Sequence, residues 1–227
     1  MAMTPELTQL LLANAAFVGS HFAMSHPFRS PMVRVLGASG FLGVYSLVSF
    51  ALLYWVVQAF QAAPPADLGG SGELGWLLAT AITLPAMVLL AGSFAGNPAL
   101  PDPAGKAKIP VEPRGVFRVT RHPMMWGIGL WAIAHVLLWW STRTLITASA
   151  MGVLALLGAH MQDRKKRALL GDAWAGWQAQ TRYWPRLSAF ARVGWVWWLA
   201  GGAIWLVATF AHMPLGAIPA GVWRWVG

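Results

Sequence analysis

Six histidines are the side chains of this sequence best suited to chemistry in an apolar setting, and two of them, His21 and His135, fall inside long apolar runs. An ionisable residue inside a membrane span is costly and is a functional candidate by default. His26, His122 and His160 lie nearer one end of the runs, and His212 lies near the far end of the last one. Spacing limits which of them act together. His122 and His135 are thirteen positions apart, roughly 20 Å of helical rise and about 220° of rotation, so they do not ligate one iron from a single straight helix. His21 and His26 are five apart and do not share a face as an i, i+4 pair would. His21 lies about 12 Å before Arg29 and His135 about 18 Å after Pro123. Neighbouring helices can therefore bring these two to similar depth. Two neutral imidazoles on opposite sides of a macrocycle would make a six-coordinate b-haem site. The alternative is that each histidine hydrogen-bonds a neighbouring helix.

Other chemistries fit less well. The chain has no cysteine, which excludes disulfides, thiolate metal sites and covalent haem attachment through C-x-x-C-H. A di-iron bundle needs several inward glutamates and repeated E-x-x-H, whereas this chain holds only seven acids, nearly all between apolar runs. His160-Met161-Gln162-Asp163 places an acid three residues after a histidine once only, and no G-x-S-x-G or Walker pattern occurs.

The elements that must position these residues are membrane spans. The sequence is 57% hydrophobic and 10% charged, against about 25% charged in an ordinary soluble domain, and its apolar runs reach the roughly 20 residues a spanning helix needs. Spans are expected near 7–28, 36–60, 74–95, 124–140, 144–161 and 194–213. The fold class is thus all-α: a polytopic transmembrane helical bundle of about six spans in one domain, 1–227. Proline is well tolerated at a helix's first turn, so Pro123 can open the fourth span. No cleavable signal peptide is expected, since the first run follows Glu6 rather than a basic segment.

The sixteen Lys and Arg residues set the orientation. Arg29 and Arg34 follow span one. Lys106, Lys108, Arg114, Arg118 and Arg121 separate spans three and four. Seven more, from Arg164 to Arg192, separate spans five and six, and only Arg143 and Arg224 fall on the other side. The positive-inside rule then puts the basic loops in the cytoplasm and the N-terminus outside it. The net charge of +9 thus belongs to loops facing a lipid bilayer rather than to nucleic-acid binding.

Trp139, Trp140, Trp195, Trp197 and Trp198 are expected as interfacial anchors. Ala200-Gly201-Gly202-Ala203 and the Ala148/Gly152 pair are expected at close helix contacts. Residues 96–121, with Asn97-Pro98, Pro101-Asp102-Pro103 and Glu112-Pro113-Arg114-Gly115, read as turns. Residues 163–192 are expected to include a cytoplasmic surface helix with Leu169, Leu170, Trp174 and Trp177 on its apolar face.

Two stretches carry a resemblance. One is Gly19-Ser20-His21-Phe22-Ala23-Met24-Ser25-His26-Pro27 with Arg29 and Gly40-Phe41-Leu42-Gly43-Val44-Tyr45-Ser46. The other is Gly115-Val116-Phe117-Arg118-Val119-Thr120-Arg121-His122-Pro123-Met124-Met125-Trp126-Gly127, ending in Ala134-His135. Together they resemble the NnrU-like family of bacterial membrane proteins, named for its association with nitrite and nitric oxide reduction and related to 15-cis-zeta-carotene isomerase. The resemblance implies a bacterial inner-membrane location, a b-haem with His21 and His135 as axial, catalytic iron ligands, and His122 as a supporting residue. It also implies a hydrophobic polyene substrate undergoing cis–trans isomerisation, with an electron donor for the iron. Arg29 and Arg121 are expected near the haem propionates, which suit guanidinium forks.

Two further readings stay open. One is a non-enzymatic haem or nitric-oxide-responsive membrane component. The other is an S-adenosylmethionine-dependent methyltransferase, because Arg121-His122-Pro123, Gly171-Asp172-Ala173-Trp174 and Thr181-Arg182-Tyr183-Trp184-Pro185 resemble the isoprenylcysteine and phospholipid methyltransferases. In those enzymes these regions bind the cofactor. Gln162-Asp163 replaces their Glu-Glu pair here, which favours shared architecture over shared chemistry.

Because the chain is cysteine-free, single cysteines report its topology. Gly69→Cys is expected to react with a membrane-impermeant maleimide from the outside, and Ser188→Cys only in inverted vesicles. Labelling of both from one side contradicts the orientation.

Overall fold

A computed structural model describes residues 3–100 and 109–226. Lys106, Lys108 and the Pro101-Asp102-Pro103 turn lie outside the described residues. Backbone amides in a bilayer must be satisfied within the protein, and the regular structure among the described residues is entirely helical. The main helices are α1 (Pro5–Ser25), α2 (Arg29–Ala62), α3 (Gly72–Gly92), α4 (Pro123–Leu138), α5 (Thr142–Gln180) and α6 (Trp195–Gly216), followed by the short α7 (Trp223–Val226). All but α4 and α7 are long and apolar enough to cross a membrane. The 16 residues of α4 rise about 24 Å, less than the roughly 30 Å hydrocarbon core.

Local chemistry sets the ends. Thr4 caps α1, its hydroxyl accepting from the Leu7 amide, and Pro5 opens the helix. Pro123 opens α4, and Trp139 closes it in the left-handed conformation. Gly37, at φ 70° and ψ 171°, interrupts α2, so the expected second span is preceded by a short helical segment from Arg29. At the end of the bundle where α4 finishes, the Gly70 and Ser71 amides donate to the carbonyls of Trp139 and Leu138. Arg143 donates to the Phe60 and Ala63 carbonyls at the end of α2.

The basic end differs from expectation. Gly171 (φ 52°, ψ −125°) breaks α5, and the chain beyond it turns back. Leu169 and Leu170 are exposed, but Trp174 and Trp177 are fully buried, so the four do not form one lipid-facing stripe. The two tryptophans share a core with Val116, Phe117, Val119, Ala189 and Val193. Two backbone hydrogen bonds, Arg121 N to Arg182 O and Arg186 N to Val119 O, tie the basic loops together. Burying apolar indole area against the protein offsets the loss of a membrane-surface contact. The anchor reading of the other tryptophans also narrows: Trp139 and Trp195 are exposed, whereas Trp140 packs edge-on against Trp76 and Trp198 donates to the Phe190 carbonyl.

α3 is the template for α4 and α6. A β-carbon on Gly127 of α4 would lie 2.8 Å from the Ala86 carbonyl oxygen, and one on Gly201 of α6 would lie 2.5 Å from Val88 Cα. Both helices therefore press their backbones against α3 at the same level, as small residues permit. Of the expected close-contact motif, Gly201 makes the contact, while Gly202 faces open space. Gly152 of α5 packs against Ala132 of α4.

Gly201→Ala is expected to destabilise the bundle by about 1–3 kcal/mol, the usual cost of overpacking. Gly202→Ala is expected to be near neutral. Unfolding in mixed micelles by sodium dodecyl sulfate titration measures both.

Candidate functional site

Two clusters of polar side chains interrupt the apolar interior. The first joins the basic loops to the bundle. Asp163 of α5 receives both Nε and NH2 of Arg121, with Nε at 3.0 and 2.9 Å from its two oxygens. His122 Nε2 lies 2.9 Å from Asp163 Oδ1, and Trp174 Nε1 donates to the same oxygen at 3.3 Å. The other nitrogen of His122 faces Gln162 Oε1 at 3.2 Å, and the Gln162 amide donates to the Ala99 carbonyl. Both nitrogens of the fully buried His122 ring thus face side-chain oxygens, which leaves neither open to a metal.

Tyr183 lies edge-on to His122 and under the Arg121 guanidinium, and its hydroxyl donates to the Leu156 carbonyl. Burial, and then the charge of Asp163, push the Tyr183 phenol above its ordinary range. An open cleft of about 770 Å³ beside the cluster is lined by Arg121, His160, Arg164 and Arg167 with Tyr183 and Trp184. The polar groups that the S-adenosylmethionine reading needs are here largely paired with one another. Arg121 is likewise committed to Asp163, while Arg29 lies over the Phe41 ring at 5.7 Å.

The second group is the intramembrane histidines. His21 Nδ1 lies 2.7 Å from the Phe17 carbonyl, His135 Nδ1 lies 2.8 Å from the Trp131 carbonyl, and His212 Nδ1 lies 2.8 Å from the Ala208 carbonyl. In each case the carbonyl is four residues earlier on the same helix. Nδ1–H donation fixes the ring and leaves the Nε2 lone pair outward, the tautomer a metal-ligating histidine adopts. Ser49 Oγ lies 3.4 Å from His21 Nε2, but the single Ser49 hydroxyl proton is given to the Tyr45 carbonyl at 2.7 Å. Among the described residues, Nε2 of His135 and Nε2 of His212 have no hydrogen-bond partner.

The structure does not bring His21 and His135 together. α1 packs on α5 through Thr147, Met151 and Leu154, whereas α4 packs on α5 at Gly152 and Leu156, a different face. Asn14 of α1 reaches Thr147, and Ala132 of α4 meets Gly152. Continuing those registers puts His21 near Leu154 and His135 near Ser149, roughly 8 Å apart along α5. The ring neighbours of His21 are Phe17 and Tyr45. Those of His135 are Trp131 and His212, the latter with centroids 6.3 Å apart and planes inclined by 30°. His212, which the sequence places near the far end of the last span, is the histidine whose ring meets His135. The available signal was direction: α4 and α6 run the same way, and both histidines occupy the last turns.

A metal held by protein alone lacks a donor set here, since no group of three or more His, Cys, Asp or Glu occurs among the described residues. Two imidazoles do suffice for an iron whose equatorial ligands come from a macrocycle.

These features define a polytopic helical membrane protein with paired imidazoles in its apolar region. The sequence model of the NnrU protein family matches residues 9–220, and the chain belongs to that family. It is also similar to two chloroplastic 15-cis-zeta-carotene isomerases. It is 32% identical to that of Zea mays over 82 residues, covering 35% of this chain and 22% of the relative. It is 31% identical to that of Arabidopsis thaliana over 87 residues, covering 37% of this chain and 23% of the relative. The matched stretch therefore spans less than a quarter of either relative's length. No solved structure matches the chain.

Asp163→Ala is expected to cost about 3–5 kcal/mol, because it strands buried cationic donors. The double variant Arg121→Leu/Asp163→Leu is expected to cost less than the two single changes summed. Detergent unfolding followed by tryptophan fluorescence reads both.

Proposed function

We propose that this chain is a b-haem protein that isomerises a hydrophobic polyene between cis and trans forms within the membrane. The observation that carries the reading is the set of imidazoles in apolar helices, each fixed through Nδ1 on a carbonyl four residues earlier, with Nε2 available to a metal. Kinship with the NnrU family and similarity to the zeta-carotene isomerases support a polyene as the substrate class. When bound, the haem supplies an iron with an exchangeable axial position.

The protein's own contributions follow from its side chains. Trp131, with its ring centroid 4.2 Å from that of His135, restricts imidazole rotation. Exposed Ile133, Leu137, Leu206 and Phe210 flank the histidines on α4 and α6 and give an apolar substrate a lateral approach from lipid. A role in nitrite and nitric oxide metabolism would use the same iron as a nitric oxide receptor.

Protein isolated in mild detergent from haem-replete cells is expected to show a Soret band and, after dithionite, sharp α and β bands. Reduced protein is expected to convert a 15-cis polyene to its trans isomer, followed by chromatography. A haem spectrum that shifts with nitric oxide but leaves the polyene unchanged would instead mark a non-enzymatic component. Tryptophan absorbance alone would sink the haem reading.

A further inference from the structure

We infer that the cleft at the basic end of α5 is a binding site for one anionic phospholipid, its phosphate held by Arg164 and Arg167 and its acyl chains lying against Leu157 and Trp184. The order of side chains along α5 has the polarity of a lipid. Leu157, His160, Arg164 and Arg167 follow one another at spacings of three and four, so they share one face of the helix. All four line the cleft of about 770 Å³. Along that face the lining turns from apolar to cationic over about 15 Å of rise. Depth agrees with this. From the start of α5 at Thr142, Leu157 lies about 22 Å and Arg164 about 33 Å along the helix. These positions fall on either side of the roughly 30 Å thickness of the hydrocarbon core. A soluble anion would need the arginines alone, whereas this cleft adds an apolar wall of exposed Leu157 and exposed Trp184.

Positive charge in the cleft is left uncompensated. Asp163 is the acid among the described lining residues, and Arg121 and His122 already hold it. Arg167 donates through NH1 to Gln178 Oε1 at 3.2 Å. That neutral partner anchors the guanidinium across the break at Gly171 without cancelling its charge. The Arg164 side chain is exposed and has no hydrogen-bond or ion-pair partner among the described residues. Two guanidinium groups one turn apart thus face one opening. Guanidinium forks match phosphate oxygens bidentately, and a basic pocket at the membrane boundary suits an anionic headgroup. The opposite wall is preformed, because the Tyr183 hydroxyl is tied to the Leu156 carbonyl at 2.9 Å.

Native mass spectrometry of the delipidated protein in mild detergent, titrated with phosphatidylglycerol or with phosphatidylcholine of the same acyl chains, tests the site. Phosphatidylglycerol is expected to fill one saturable position, with affinity roughly tenfold or more above that of phosphatidylcholine. Arg164→Gln/Arg167→Gln is expected to lower phosphatidylglycerol affinity by about tenfold or more, at about fivefold per arginine, and to leave phosphatidylcholine binding unchanged. Arg164→Gln alone changes an exposed, unpartnered side chain, so it keeps the fold and is expected to cost about fivefold. Arg186→Gln/Arg192→Gln removes the same charge from the same end of the protein outside the cleft, and is expected to leave the affinity unchanged. Glycerol 1-phosphate, a soluble headgroup, is expected not to displace the lipid at equal concentration. Displacement by it would mark a soluble-anion site, and equal losses in the two arginine pairs would mark diffuse attraction to the basic end. Either result, or equal binding of the two lipids, overturns the assignment.

Discussion

The carboxylate of Asp163 is the group on which the rest of the architecture depends. It sits in the middle of α5 and gathers the adjacent Arg121 and His122 from one stretch of chain and Trp174 from another. Burying a carboxylate costs several kcal/mol, which only charge-assisted hydrogen bonds of good geometry offset. That requirement fixes where α4 begins, because Arg121 and His122 immediately precede Pro123. It also fixes how the chain returns after the break at Gly171, because Trp174 must reach the same oxygen. The basic loops, instead of lying free on a membrane surface, become a packed cap with its own core of Val116, Phe117, Trp174 and Trp177.

From that clasp the positional constraint runs along α4 to the other end of the bundle. With its start tied to α5 and Gly127 seated on α3, α4 has little freedom to slide, and His135 near its end is placed accordingly. α6 meets the same template through Gly201, and Trp205 donates to Thr83 of α3 at 3.0 Å. The distance between His135 and His212 is thus a consequence of two helix-to-helix registers set far from either ring. Small residues at those contacts matter because a methyl group there would meet backbone atoms.

Much of this was legible in the sequence. The apolar runs, Pro123 as a helix opener and Gly201 as a contact residue follow from composition and local rules. His21 and His135 stand out because imidazole is costly in an apolar run. The contact of His212 with His135 did not stand out, because it depends on the parallel course of α4 and α6 and on their shared template, which no spacing within one helix encodes. The fate of Trp174 and Trp177 was hidden for a related reason: their near-helical spacing with Leu169 and Leu170 assumes an unbroken helix, and Gly171 breaks it at φ 52°. In the sequence, Gln162-Asp163 is a departure from the Glu-Glu pair of the methyltransferases, whereas its pairing with Arg121 and His122 is a property of three-dimensional proximity alone.

The reading proposed above is that imidazoles fixed in the apolar helices hold a b-type haem. Low-temperature electron paramagnetic resonance of the ferric protein, isolated from haem-replete cells, tests it most directly. Imidazole ligands on both sides of a ferric haem make it low-spin, so the expected result is a low-spin signal that is lost when His135 is replaced by alanine. Absence of any haem signal in the wild-type protein, or a low-spin signal unchanged in His135→Ala, would contradict it.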